Sequence, residues 1–206
     1  MYARSNTVRG DPQKIDAGIA DVRDEVMPKV QGMSGCVGLS MLCDRESGRC
    51  IVTTAWADES SMHATEEGVR AMRERAAETF GGSVEVNEWE IAVLHRTREA
   101  PAGACCRVTW TRGDPADMDR MIDTFRMALL PRLDDVAGFC SVSVMVNRDN
   151  GMCALAATYE SREAMMQSRE AVAAMRDDFT QQLGLQVTDI AEFDLVVHHL
   201  RVPETV

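Results

Sequence analysis

The sequence has few aromatic residues, few lysines and no long apolar run. Only 5 % of its 206 residues are aromatic, and of its 22 basic residues only Lys14 and Lys29 are lysines. No stretch reaches the roughly 18 apolar residues that a membrane-spanning helix needs, and the polar N-terminus has no signal-peptide core. The net charge of −11 opposes binding to phosphate backbones and to anionic lipids. We therefore expect a cytoplasmic protein that binds neither nucleic acid nor membranes.

The cysteines do not have the spacing of a metal site. There are seven of them, an odd number, so they cannot all pair within one chain. None forms a CxxC pair, and the adjacent residues Cys105 and Cys106 do not suit tetrahedral chelation. We expect no metal site, and we interpret the cysteines as small buried hydrophobic residues in a reducing compartment.

The sequence contains the same unit twice. The motif Arg9-Gly10-Asp11-Pro12 recurs 103 residues later as Arg112-Gly113-Asp114-Pro115. At that offset, 21 of the 76 residue pairs that begin at Arg9 are identical. We predict a first repeat over 1–96, a linker over 97–103 and a second repeat over 104–206.

Both repeats show the same order of local patterns. Asp11 and Asp114 are predicted N-caps, each followed by a proline at the first helical position. A helical apolar stripe comes next, then a hairpin with a glycine in its turn, a second helix ending at Gly81 or Gly184, and a last strand. The stripe residues are Ile15, Ile19, Val22, Val26 and Val30, matched by Met118, Ile122, Phe125, Leu129 and Leu133. We expect Pro28 and Pro131 to bend or shorten the last turns of these helices.

With the first strands included, each repeat has the order β-α-β-β-α-β. This order predicts a four-stranded antiparallel sheet with both helices on one face. The open apolar face needs a cover, and a second copy in the same chain supplies one at high effective concentration. The predicted fold class is α+β, with two ferredoxin-like repeats that form an intrachain pseudo-dimeric α/β barrel. Further homo-oligomerisation stays open.

Three stretches carry a resemblance to a known family. They are Tyr159 to Met165, the looser counterpart Trp56 to Met62, and the strand entry Gly138-Phe139-Cys140. On these stretches each half resembles the antibiotic-biosynthesis-monooxygenase (ABM) type of dimeric α/β barrel. The whole chain resembles tandem-domain actinobacterial proteins of no assigned activity. The resemblance implies a cofactor-independent monooxygenase-like protein that acts on or binds a small aromatic molecule.

The chain departs from the family pattern at the expected polar positions. Many members carry a histidine where this chain has Thr65 and Ser168. The haem-degrading branch uses an asparagine on the first strand, for which Asn6 is the one candidate, and a helix histidine, near which this chain has Arg73 and Arg176. Haem binding is therefore disfavoured, and we expect no cofactor.

The candidate site residues come in matched pairs. The candidate catalytic residues are His95, His199, Arg73 and Arg176, since histidine can act as a base and a guanidinium can bind a carboxylate or phenolate. The candidate substrate-binding residues are Trp56, Tyr159, Met72, Met175 and Asn6. The same side chains also suit strand ends, helix surfaces and core filling. The alternative function is thus a noncatalytic small-molecule-binding or stress-associated protein that keeps the fold without the chemistry.

Overall fold

The computed structural model describes residues 1–200, so residues 201–206 of the predicted second repeat lie outside the described part. The first repeat comprises β1 (Tyr2–Arg9), α1 (Ile15–Asp21), α2 (Met27–Gln31), β2 (Cys36–Asp44), β3 (Arg49–Trp56), α3 (Glu59–Ala64), α4 (Glu66–Phe80) and β4 (Ser83–Arg96). The second comprises β5 (Cys105–Arg112), α5 (Met118–Thr124), α6 (Leu130–Asp134), β6 (Phe139–Asn147), β7 (Met152–Tyr159), α7 (Arg162–Gln167), α8 (Arg169–Leu183) and β8 (Gln186–Leu200).

The eight strands form a closed barrel in the order β1-β3-β2-β8-β5-β7-β6-β4. Within the first repeat the order is therefore β4-β1-β3-β2, and within the second it is β8-β5-β7-β6. This is the strand order of a ferredoxin-like unit, in which neighbouring strands pair in antiparallel fashion. The prediction of two ferredoxin-like repeats in an intrachain pseudo-dimeric α/β barrel is confirmed.

The chain divides into two compact units. Unit 1 contains Met1–Trp89 and the end of β8 from Leu195, and unit 2 contains Glu90–Asp194. Each long last strand therefore contributes its first half to one unit and its second half to the other. As a result, β4 brings His95 into unit 2, and β8 brings His199 into unit 1. The predicted limits of the two repeats, 1–96 and 104–206, concern the duplicated sequence and remain a proposal.

The predicted helix signals are present in both repeats. Asp11 accepts a hydrogen bond from the Gln13 amide and Asp114 accepts one from the Ala116 amide, both at 2.9 Å. Each cap begins a short 3-10 turn with proline at its first position. Gly81 and Gly184 end the second helices with φ angles of 68° and 63°, the left-handed region that glycine adopts readily.

The first helix of each repeat is less regular than its apolar stripe predicts. Between the two α-helical segments lies a π-helical turn, over Val22–Val26 in repeat 1 and Phe125–Leu129 in repeat 2. Pro28 and Pro131 lie two residues after these turns, and neither can donate to the carbonyl four residues earlier. A wider turn before the proline accommodates this missing bond. A π turn therefore lies just before the prolines that were expected to bend or shorten the end of the helix.

Each unit has its own apolar core, to which the stripe residues contribute. In unit 1, Ile15, Val22 and Val30 pack with strand residues such as Leu39 and Met41. The core of unit 2 is built from the corresponding positions and contains more of the larger side chains. These include Phe125, Leu129, Phe139, Met165 and Phe179.

Candidate functional site

A buried arginine on the first strand of repeat 2 organises the polar part of unit 2. Arg107 is 5 % exposed. Its Nε and Nη2 donate to Glu192 Oε1 at 3.0 and 2.9 Å, and Nη2 also donates to the Met165 carbonyl at 2.9 Å. One guanidinium therefore joins β5, β8 and the end of α7.

Repeat 1 has the same arrangement around Arg4, which is 1 % exposed. Its Nε and Nη2 donate to Glu88 Oε1 at 2.9 and 2.7 Å, and Nη2 donates to the Met62 carbonyl at 3.1 Å. Glu66 adds a second carboxylate 3.2 Å from Nη2. Glu66 also accepts a hydrogen bond from Arg73. Arg73, one of the predicted catalytic residues, therefore contacts the same group of charged side chains as Arg4.

Sequence reasoning did not single out Arg4 and Arg107. They stand 103 residues apart, like the aligned pairs, but Arg4 precedes the segment that was aligned. Their partners Glu88 and Glu192 stand 104 residues apart. Extending the repeat over the first strands would have revealed an arginine at one strand position in both copies.

Thr65 and Ser168 stand where many ABM-type proteins have a histidine. In this chain the hydroxyl of each residue lies at the end of a helix. Thr65 Oγ1 donates to the Met62 carbonyl at 2.7 Å, and Ser168 Oγ donates to the Met165 carbonyl at 2.9 Å. These carbonyls also accept from the buried arginines. The second helix of each repeat, predicted as one segment, is consequently divided at Thr65 or Ser168.

Tyr159 lies beside Arg107 in the core of unit 2. The Arg107 Cζ atom is 5.7 Å from the centre of the Tyr159 ring, and Phe139 packs edge-on against that ring at 6.3 Å. The tyrosine is fully buried, and its hydroxyl has no partner in hydrogen-bond geometry among residues 1–200, although the side chains of Ser168 and Arg107 are both close to it. Burial raises the pKa of Tyr159, and the positive charge of Arg107 opposes that rise.

The matching aromatic residue of repeat 1 is differently placed. Trp56 is fully buried, and its Nε1 donates to Thr54 Oγ1 at 3.1 Å. The counterpart of Thr54 in repeat 2 is Ala157, which offers no hydroxyl. Only the aromatic side chain of unit 2 therefore keeps a buried polar atom unpaired within the described chain.

Arg4 and Arg107 each have one buried nitrogen atom that makes no hydrogen bond within the described residues. In both arginines this atom is Nη1. In unit 2, Arg107 Nη1 and the Tyr159 hydroxyl thus lie on neighbouring side chains, both able to donate. Buried donors of this kind are costly unless something accepts from them.

The strand register places Arg107 and His95 in one row across the sheet of unit 2. Arg107 pairs with Ala157, Ala157 with Val142, and Val142 with His95. Glu192 extends the row on the other side of Arg107. Three strand spacings separate the Arg107 and His95 backbones, about 14 Å. Ala157 and Val142, both buried in the unit 2 core, lie between the two polar ends of the row.

His95 is held by a carboxylate from the neighbouring helix. Its Nε2 lies 2.9 Å from Asp134 Oδ1 at the end of α6. Its Nδ1 is buried and has no hydrogen-bond partner in the described chain. A neutral imidazole that donates from Nε2 leaves Nδ1 as a free proton acceptor. His199 is half-buried in unit 1, where Gln31 stands at the sequence position equivalent to Asp134.

The other predicted residues do not join this row. Arg176 donates through Nε to its neighbour Asp177 at 2.9 Å. Met72 and Met175 pack, partly buried, against the cores of units 1 and 2. Asn6 is half-buried, and its Nδ2 lies 3.5 Å from the Val52 carbonyl of β3.

The charge around the buried arginines differs between the units. In unit 1, the carboxylates Glu66 and Glu88 balance Arg4 and Arg73. In unit 2, the position of Glu66 is held by Arg169, whose Nη2 donates to Glu192 Oε2 at 2.9 Å. Two arginines therefore share one carboxylate, and the unit 2 cluster carries a net positive charge that favours an anion.

Over residues 1–200, no group of three or more His, Cys, Asp or Glu side chains is arranged to hold a metal ion. None of the helices described has the length and apolar character that crossing a membrane requires.

No protein-family model matches the chain. Two proteins of Mycobacterium tuberculosis do match along its whole length. Uncharacterized protein Rv2557 is 44 % identical over 206 residues, covering 100 % of this chain and 92 % of the relative. Uncharacterized protein Rv2558 is 46 % identical over 209 residues, covering 100 % and 88 %. The chain belongs to the family of these two mycobacterial proteins. This agrees with the predicted similarity to tandem actinobacterial proteins.

Solved structures with the same fold share little sequence with this family member. A candidate monooxygenase from Fusobacterium nucleatum superposes with a TM-score of 0.70 at 11 % identity, covering 97 % of this chain and 94 % of its own. An anthrone oxidase-like protein gives 0.68 at 14 %, covering 99 % and 94 %. The heme-degrading enzyme LmHde from Listeria monocytogenes gives 0.52 at 8 %, covering 94 % and 99 %. The chain therefore has the ABM-like fold.

Proposed function

We propose that this chain is a monooxygenase-like protein that binds a small aromatic molecule in unit 2. The observation that carries the proposal is the pair of buried, unpaired polar atoms within residues 1–200, Arg107 Nη1 and the Tyr159 hydroxyl. Both can donate to one oxygen of a phenolate or carboxylate, and such charge-assisted hydrogen bonds are strong. The net positive charge of the Arg107 cluster favours the same ligand.

The row of paired residues from Arg107 to His95 suggests how this ligand would be oriented. With its anionic oxygen at Arg107, a flat ring system would lie over Ala157 and Val142 and point towards His95. The backbones of Arg107 and His95 stand about 14 Å apart, a span that suits a molecule of two or three fused rings. Met165 and Met175 border the same core, and their flexible side chains can rearrange around an aromatic guest.

In the catalytic form of the proposal, His95 is the base. Nδ1 removes a proton from the bound molecule, and Asp134 stabilises the imidazolium that results. The resulting carbanion adds dioxygen, with neither metal nor flavin, and the peroxide anion that forms takes up a proton. Loss of water from this hydroperoxide leaves a carbonyl group, so that a CH2 group and dioxygen give C=O and water. The anthrone oxidase-like neighbour supports testing molecules of the anthrone class first.

The second candidate is a noncatalytic binding protein or stress-associated protein. It is supported by the internal partners of the predicted catalytic residues: Arg73 pairs with Glu66, Arg176 with Asp177, and His95 with Asp134. A protein of this kind would bind the aromatic molecule beside Tyr159 and leave it unchanged.

Several further assignments belong to the proposal. They are a cytoplasmic location, assembly of the chain into a homo-oligomer, and the repeat boundaries 1–96 and 104–206. Unit 1 contains the matched residues Trp56, Met72 and His199. Because the Trp56 ring nitrogen is already paired with Thr54, unit 2 is proposed as the binding unit.

A thermal-shift screen tests the proposal. Anthrone, a hydroxylated naphthoquinone, haem and a flavin would each be titrated into the full chain, since a ligand of the native state raises its melting temperature. We expect a saturable rise with the phenolic ligands and a weaker one in Tyr159→Phe. Tyr2→Phe removes the hydroxyl of the other tyrosine and should bind as wild type does. No shift with any phenolic ligand would overturn the proposal.

A further inference from the structure

Two cysteines face each other at the end of the β2–β3 hairpin in unit 1. Cys43 and Cys50 are directly paired in the antiparallel register. Both are fully buried, and their sulfur atoms are 2.7 Å apart. Two reduced sulfurs in ordinary contact lie farther apart than this, so the geometry points towards a covalent bond.

The backbone already has the spacing of a disulfide. Directly opposite residues of an antiparallel pair have Cα atoms about 4.5–5.5 Å apart. Disulfide-linked residues have Cα atoms about 4.4–6.8 Å apart. Cys43 and Cys50 can therefore be joined without a shift of either strand.

The second repeat contains a natural comparison. The pair at the same place in its hairpin is Val146 and Cys153, which are also directly opposed. Val146 is fully buried, so a valine fits this position in the fold. Repeat 2 has one thiol where repeat 1 has two.

We propose that Cys43 and Cys50 form an oxidation site, at which a peroxide converts the two thiols into a cross-strand disulfide. One thiolate attacks a peroxide oxygen, the O–O bond breaks, and a sulfenic acid forms with loss of water. The second thiol then attacks the sulfenic sulfur, the S–S bond forms, and a second water leaves. Two thiols are oxidised and one peroxide is reduced to two waters.

Local opening of the hairpin end gives the peroxide access. The turn between the strands is exposed at residues 45–47, and the thiols form the second pair from this turn. Segments with exposed turns open far more often than a whole domain unfolds. Away from the turn, both cysteines pack in the unit 1 core, so access is expected from the turn end.

Counting free thiols tests the proposal. The full chain is treated with hydrogen peroxide, denatured and alkylated, and its intact mass is measured. We expect five of the seven cysteines to be alkylated, and all seven after prior reduction. Trypsin cuts after Arg45 and Arg49, between the two cysteines, so the disulfide would link two separate peptides. Fragmentation of the linked pair distinguishes Cys43 from Cys36, which lies in the same peptide.

Two variants provide the controls. Cys43→Val copies Val146 of repeat 2, and we expect all six of its remaining cysteines to be alkylated after peroxide. Val146→Cys recreates the pair in repeat 2, and we expect a second linked peptide pair there. Seven alkylated cysteines in the peroxide-treated wild type, a link to Cys36 or links only between chains would each overturn the proposal.

Discussion

Gly18 of α1 lies against the ring of Phe80, the last residue of α4. A Cβ atom on Gly18 would stand 2.1 Å from Cζ of that ring, and Phe80 is 1 % exposed. In repeat 2 the same two positions are Met121 and Leu183. The glycine is thus replaced by the larger methionine, and the phenylalanine by the smaller leucine. Each repeat thus fills the same space in a different way.

Gly18→Ala is therefore expected to destabilise the fold, although alanine is the better helix former. The helix gains about 1 kcal/mol from alanine, but crowding a packed core costs about 1–3 kcal/mol. We expect a net loss in the free energy of unfolding, measured by urea denaturation. Adding Phe80→Leu, the smaller partner used in repeat 2, should recover part of the loss. Additive losses in the double variant would contradict the steric explanation.

The buried arginines predict unequal effects of the same substitution. Glu192→Gln leaves Arg107 without its carboxylate partner, and we expect a loss of about 2 kcal/mol in unfolding free energy. Glu88→Gln should cost about half as much, because Arg4 keeps Glu66 at 3.2 Å. Chemical denaturation of both variants at one pH gives the comparison. Equal losses would mean that Glu66 contributes nothing to holding Arg4.

Glu88 should also contribute to the acid sensitivity of the protein. Burial alone would raise the pKa of Glu88, but hydrogen bonds from Arg4 and His63 outweigh it and lower the pKa below 4.5. A carboxyl with a lowered pKa in the folded state adds stability above its unfolded pKa and loses it as the pH falls through the folded value. The difference between wild type and Glu88→Gln should be full at pH 7 and shrink below pH 4.5. A difference that is constant with pH would contradict this role.

The two forms of the proposed function differ in the role of His95. If the protein oxygenates its ligand, His95→Gln should abolish most dioxygen uptake in the presence of an anthrone while leaving ligand binding within about threefold of wild type. His199→Gln, the matched change in the other repeat, should leave uptake unchanged. A Clark-type electrode measures both. Binding without any uptake by the wild type would favour the noncatalytic form.

Local signals in the sequence were enough to predict the order of the strands and the helix caps. Asp11, Asp114 and the two end glycines act through neighbours a few residues away, so their roles can be inferred without a structure. The duplication then supplied the pairing of the repeats, since one open sheet needs another.

The candidate site depends on contacts that are distant in sequence. Arg107 meets Glu192 across 85 residues, and an arginine on a strand is ordinarily interpreted as a surface residue. The division of the second helix depends on that same arginine, because it binds the Met165 carbonyl. The π turns depend on which carbonyl a proline leaves unpaired. None of these effects has a periodicity that marks it in one sequence.

The central claim is that Arg107 and Tyr159 together bind the anionic oxygen of an aromatic ligand. Isothermal titration of the full chain with an anthrone tests it most directly, using wild type, Tyr159→Phe and Tyr2→Phe. We predict binding at one site per chain, weakened about tenfold in Tyr159→Phe because one hydrogen bond is lost, and unchanged in Tyr2→Phe. Equal affinity in all three proteins would contradict the claim.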